Sequence, residues 1–151
     1  MRLTQQTDYA FRMLIYLAVH RERSGTVQDV AENYGISRSH LLKVALKLGR
    51  LGYVKTSRGR SGGIALARAP EDINLGEVIR AMEDDLGLVE CMRPDGGQCV
   101  ISPACNLKKL VGRALAAFVA VFDGVTLAKL THNRSELLKL LEIKQFSARV
   151  A

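Results

Sequence analysis

The chain has 151 residues, 48% of them hydrophobic, enough for one compact core. Its three cysteines, an odd number, argue against a disulfide scaffold, and the longest uninterrupted apolar run, 114–122, is too short to cross a bilayer. A formal net charge of +7 favours a polyanionic partner and is unevenly placed: residues 1–75 carry twelve Lys/Arg against six Asp/Glu, residues 76–151 ten against nine.

Met1-Arg2-Leu3 leads into polar Thr4, Gln5, Gln6, Thr7 and Asp8, so no secretory leader, no membrane segment and a cytoplasmic location are expected. Thr4 is placed to cap a first helix reaching about His20, with Ala10, Leu14, Leu17 and Ala18 at buried-face spacing beside Phe11 and Ile15. After a polar turn at 21–25, Thr26 caps a short helix over 27–33 that turns Val27, Val30 and Ala31 inward. Tyr34-Gly35-Ile36 is a tight turn with glycine where a helix stops, and Ser37 caps a third helix reaching Leu51 and ended by Gly52. Two β-prone runs, 53–57 and 64–67, flank Arg58-Gly59-Arg60-Ser61-Gly62-Gly63 and predict a hairpin. Asn74-Leu75-Gly76-Glu77 opens a fourth helix with Leu75, Val78, Ile79 and Met82 on one side. Residues 86–105 lack a long periodic stripe and hold all three cysteines. A long helix follows over 106–122, broken at Asp123-Gly124, and short helical segments at 126–131 and 134–143 precede a frayed end at 145–151.

The expected fold is therefore mainly α with a small β-hairpin wing: a winged helix-turn-helix plus a long dimerisation helix. It divides into a DNA-binding domain at 1–85, a cysteine-rich cluster-binding loop at 86–105, and a dimerisation helix with C-terminal tail at 106–151.

The third helix divides its surface as a reader of the major groove must. Leu41, Val44, Ala45, Leu48 and Leu51 fall at core spacing, whereas His40, Lys43, Lys47 and Arg50 continue the polar start Ser37-Arg38-Ser39 along another stripe. Short polar residues suit base edges and cations suit phosphates. At the hairpin tip, Arg58, Arg60 and Ser61 stand among glycines that let a backbone approach DNA closely. Any one of these cations is also read as an ordinary solvated charge; the set together points to double-stranded DNA.

Cys91, Cys99 and Cys105 lie in a segment with Pro94, Gly96, Gly97 and Pro103, which supply the turns a chain needs to wrap a cluster. Their spacing leaves an iron–sulfur cluster, a thiol switch, zinc and plain burial all open, because it matches neither common ferredoxin pattern nor a paired Cys-x-x-Cys zinc site. The acidic triplet Glu83-Asp84-Asp85 reads as a solvated helix end, and His20 and His132 read as solvated side chains. No Ser/His/Asp set, phosphate-cradling loop or paired-carboxylate site stands out, so an enzyme is not expected.

Several segments resemble a known family. These are Met1-Arg2-Leu3-Thr4, Thr7-Asp8-Tyr9-Ala10, Ser37-Arg38-Ser39-His40, Gly52-Tyr53-Val54, Arg58 to Gly63, Val89-Glu90-Cys91 and Ile101 to Lys108. In that order, over 1 to about 143, the chain resembles the NsrR/IscR family of iron–sulfur winged-helix regulators, nearest to its nitric-oxide-sensing repressors. The resemblance implies that Cys91, Cys99 and Cys105 ligate a cluster, of four-iron or two-iron type. It also implies that an acidic residue near the start of the first helix, at the position of Asp8, completes the coordination from the other subunit. Without the resemblance, Asp8 reads as a first-turn carboxylate favourable to the helix dipole. Members of the IscR type instead use a histidine shortly after the third cysteine; here Asn106, Leu107, Lys108 and Lys109 follow it.

The helix over 106–122 places Leu107, Leu110, Val111, Ala114, Ala117, Phe118 and Val121 along one stripe, with Leu115, Val119 and Phe122 beside it. That is more apolar surface than one small domain needs to cover, and a homodimer reading a pseudo-palindromic operator is expected. A cluster shared between subunits would fix the two recognition helices about one DNA turn apart, and nitric oxide, as signal, would release that tie.

Overall fold

The computed structural model describes residues 2–22, 25–57 and 63–149, with 142–149 described by backbone alone. Helix α1 (Gln5–Val19) begins where Thr4 Oγ1 accepts the Thr7 N–H, at 3.4 Å. Besides the four predicted core positions it buries Met13, Tyr16 and Val19, so the rest of the fold is assembled around it. Helix α2 (Val27–Tyr34) starts with a reciprocal cap: Thr26 Oγ1 accepts from Asp29 N at 3.0 Å and Asp29 Oδ2 accepts from Thr26 N at 2.7 Å. Gly35 ends it in the left-handed region, φ 63°, where a side chain would be strained. Helix α3 (Arg38–Arg50) buries Leu41, Val44, Ala45 and Leu48 against α1 and α2.

Ser37 stands at the head of α3 but makes no side-chain cap; its hydroxyl pairs with that of Ser39 at 2.8 Å. The His40 and Leu41 N–H groups bond instead to the Ser37 carbonyl.

Strands β1 (Val54–Thr56) and β2 (Ile64–Leu66) pair antiparallel, Val54 opposite Leu66 and Thr56 opposite Ile64. Gly25 and Ile64 exchange backbone hydrogen bonds, which fixes the start of β2, at the loop end of the hairpin, to the turn between α1 and α2. Helix α4 (Leu75–Met82) is capped by Asn74 Oδ1 accepting Glu77 N at 3.1 Å and buries Leu75, Val78, Ile79 and Met82. The class is thus mainly α with one small hairpin, as expected.

Helix α5 (Asn106–Asp123) lies on α4, and the chain returns through α6 (Leu127–Leu130) and α7 (Arg134–Arg149). Leu127 and Leu141 enter the same core as α1. Arg134 donates to the Val19 carbonyl at 2.7 Å and to Glu22 at 3.1 Å, closing the open C-terminal end of α1. Helix α7 runs to Arg149, past the end expected at 143. Residues 144–149 contain neither Gly nor Pro, so nothing in them stops a helix already begun.

The α4–α5 junction is tied closely. Arg80 makes a two-pronged pair with Asp123 at 2.6 and 2.7 Å, and Asn74 Nδ2 donates to the Asp123 carbonyl at 2.7 Å. The hydrogen bonds from Arg80 hold the Asp123 carboxyl below the usual carboxylate range, and the same contact raises Arg80 further.

Candidate DNA interface and cysteine segment

The outward face of α3 carries Ser37, Arg38, Ser39, His40, Lys43 and Arg50 in the open, and α3 contains no carboxylate. His40 also stacks on Tyr9, ring centroids 6.4 Å apart, so α1 braces one edge of this face. Lys47 differs from its neighbours. Its ammonium donates to the Met82 carbonyl and to Asp84 Oδ1, both at 2.9 Å, and so links α3 to the exit of α4. Lys43→Ala should therefore lower the salt slope of duplex binding by about one, as loss of one phosphate contact does. Lys47→Ala should lower it less, because that ammonium already has two partners. Titrations at several salt concentrations compare the two. Arg58, Arg60 and Ser61 lie outside the described residues.

At the exit of α4 Asp84 and Asp85 are exposed, as a solvated terminus should be, and Glu83 is not. Glu83 is buried and accepts from Thr4 N at 2.7 Å and Thr4 Oγ1 at 3.1 Å, Asp84 holds Lys47, and Asp85 Oδ1 accepts Gly87 N at 2.6 Å. The partners of Glu83 and Asp84 lie far away in sequence, at the cap of α1 and on α3, beyond any local pattern, whereas that of Asp85 is two residues on. His20 likewise is buried: its Nδ1 faces the Tyr16 carbonyl at 2.9 Å and its ring stacks on Tyr16 at 4.2 Å. His132 is exposed, as expected.

The three cysteines are free and open to different degrees. Cys91 is half-buried in a 3-10 turn over Glu90–Met92 that packs on α5; Cys99 is exposed; Cys105 is half-buried directly ahead of α5. The first two belong to a closed loop. Glu90 Oε1 accepts the Gln98 N–H at 3.0 Å, joining the residue before Cys91 to the residue before Cys99. Gly96 and Gly97 turn the chain between them at φ 78° and 61°, and a Cβ on Gly97 would stand 2.8 Å from the Glu90 carbonyl. A second 3-10 turn, Ser102–Ala104, brings the chain to Cys105, and Lys108 Nζ donates back to Ser102 Oγ at 3.0 Å.

Asp8 lies elsewhere, in the first turn of α1, paired with Arg12 at 2.8 Å across an exposed face. It borders a cavity of about 680 Å³ between the start of α1, the 83–88 link and α5, shared with Phe11, Glu83, Asp85, Leu115 and Phe118. Among the described residues, no three His, Cys, Asp or Glu side chains of the one chain are brought together as a metal-binding set. The chemistry of the donors does suit an iron–sulfur cluster: three unpaired thiols within one short segment, none in the core, on a chain turned by glycine and proline.

Helix α5 has two apolar sides. Leu115, Phe118, Val119 and Phe122 face the chain, while Leu107, Leu110, Ala114, Ala117 and Val121 are exposed. Phe118, expected on one stripe with Leu110, Ala114 and Val121, instead lines the cavity with Phe11 and Leu115 on the inner side. Among the described residues no helix is long and apolar enough to cross a membrane.

The family model for Rrf2, an iron-dependent transcriptional regulator, matches residues 3–133. The chain belongs to the Rrf2 family. It is 49% identical over 146 residues to the HTH-type transcriptional regulator NsrR of Bacillus subtilis (strain 168), covering 96% of this chain and 100% of that one. The NsrR of Geobacillus kaustophilus (strain HTA426) is 44% identical over 143 residues, with 94% and 97% covered. Among solved structures, B. subtilis CymR, the global cysteine regulator, superposes with a TM-score of 0.71 at 26% identity, covering 88% of this chain and 98% of that one. T. potens IscR gives 0.70 at 27%, covering 91% and 90%. As an Rrf2-family protein the chain is a DNA-binding transcriptional regulator and not an enzyme.

Proposed function

We propose that this Rrf2-family regulator is a homodimeric repressor that binds a pseudo-palindromic operator and senses nitric oxide through an iron–sulfur cluster. Cys91, Cys99, Cys105 and Asp8 of the partner subunit would hold the cluster. The observation that carries this reading is the set of three free thiols on one segment, 91–105, in a chain whose relatives named NsrR match it nearly end to end.

The surroundings support each part. The cation-rich, carboxylate-free face of α3 suits the major groove. The exposed stripe on α5 recurs at three- and four-residue intervals, and Ala114 and Ala117 let a second copy of the helix come close. The Asp8–Arg12 pair is a surface ion pair on one helix, worth roughly 0.3–0.5 kcal/mol, so the carboxylate can exchange partners at little cost. When bound, the cluster supplies iron able to take up a diatomic ligand. The chain supplies the geometry: Glu83 and Lys47 join the link that leads to Cys91 to the start of α1 and to the last turn of α3, a route from the thiols to the DNA-reading helix.

Anaerobic purification with visible absorption, iron and sulfide analysis, followed by stepwise nitric oxide, tests the reading. Cluster absorbance lost to stoichiometric nitric oxide together with release of operator DNA is the expected result. A colourless protein that still binds duplex after reconstitution would move the cysteines to zinc or thiol chemistry, and absorbance indifferent to nitric oxide would favour a redox- or iron-responsive regulator.

A further inference from the structure

Leu42 and Leu46 are 42% and 58% exposed, one turn apart on α3. At 100° per residue both fall away from the core positions Leu41, Val44 and Leu48, in the arc that also carries Ser39, Lys43 and Arg50. As an i, i+4 pair they form one continuous apolar ledge rather than two scattered contacts. Cations and a hydroxyl border the ledge, and no carboxylate stands anywhere on the helix.

Neither a phosphate nor a hydrogen-bonding base edge has any use for a leucine. The one apolar group that B-DNA presents in the major groove is the C5 methyl of thymine. We propose that Leu42 and Leu46 are specificity residues that read thymine methyl groups, fixing A·T or T·A pairs at the positions they cover. This rests on the reading of α3 as the DNA-facing helix and adds which bases it selects. The alternative of a lipid surface is disfavoured by the same face, since an interfacial helix presents a full stripe of bulky apolar residues and α3 offers two.

Because both side chains are exposed, Leu42→Ala and Leu46→Ala should fold as the wild type does. The full-length protein, purified anaerobically, is used to select from a randomised duplex library, and each thymine of the enriched sequence is then replaced by deoxyuridine, which lacks only the methyl. At one or more positions per half-site the replacement should weaken the wild type about fourfold per methyl. The matching leucine variant should bind thymine and uracil duplexes equally and keep the wild-type salt slope. An enriched sequence indifferent to uracil at every position, or a penalty that persists in both leucine variants, overturns the assignment while leaving α3 as the DNA reader. Failure to enrich any sequence overturns both.

Discussion

Replacing Cys91, Cys99 or Cys105 with alanine is expected to abolish cluster absorbance and to drop operator affinity to the non-specific level, on the order of a thousandfold. The fold should survive each change. None of the three is in the core and none is in a disulfide, so the cost in stability should stay within about 1 kcal/mol, the range of most substitutions outside buried sites. Thermal unfolding by circular dichroism separates the two effects: a melting curve matching that of the cluster-free wild type, with lost absorbance and lost binding, assigns the thiols to the cluster. Asp8→Ala should behave differently, because all three thiolates remain. It should take up a cluster that is lost more readily and answer nitric oxide differently, at the cost of only an exposed ion pair. A single-cysteine variant that keeps both absorbance and operator binding would remove that residue from the set.

Much of this could be read in advance where the signal is local. Thr4, Thr26 and Asn74 cap helices with their own side chains, and the core faces of α1, α3 and α4 follow the helical period, so both were legible from neighbouring residues. What was not legible depends on residues distant in the chain. Lys47 belongs to a charged stripe by spacing, yet Asp84 and the Met82 carbonyl claim it; Glu83 reads as a solvated end, yet Thr4 buries it. Phe118 falls on one stripe with Leu110, Ala114 and Val121 by sequence, and only the cavity it lines with Leu3, Phe11 and Leu88, all distant in the chain, places it on the inner side. The grouping of the cysteines was evident, but the Glu90–Gln98 bond that closes their first loop was not, since nothing marks a glutamate as the partner of a backbone N–H eight residues on. The exposed Leu42 and Leu46 were visible as residues, but two apolar side chains on a polar face carry no label until burial is known.

Gly76→Ala is expected to destabilise the protein although alanine is the better helix former. Taken alone, α4 should gain up to about 1 kcal/mol from losing an interior glycine. Gly76 is buried beneath the end of α5, however. A Cβ there would overlap the Asp123 carboxylate, standing 2.8 Å from its Cγ and 3.0 Å from the Asp123 backbone nitrogen. The carboxylate could swing aside only by leaving Arg80, and the nitrogen belongs to the last turn of α5, so the helix itself must shift. Overpacking of this kind costs about 1–3 kcal/mol, which set against the propensity gain leaves a net loss of up to about 2 kcal/mol. At this chain length that lowers Tm by up to about 8 °C in calorimetry. The penalty should also depend on pH. Asp123 is held below its usual range, so its tie to Arg80 is intact above the unfolded carboxyl value and is lost as pH falls through the lowered folded value. Arg80, raised, stays charged throughout that window. The difference between wild type and variant should therefore be full at neutral pH and narrow under acid, where the wild type has lost the same contact. Equal stability at neutral pH would mean that α5 can leave α4 freely, and that the junction does not hold the cysteine-bearing segment and α5 to the helices that carry α3.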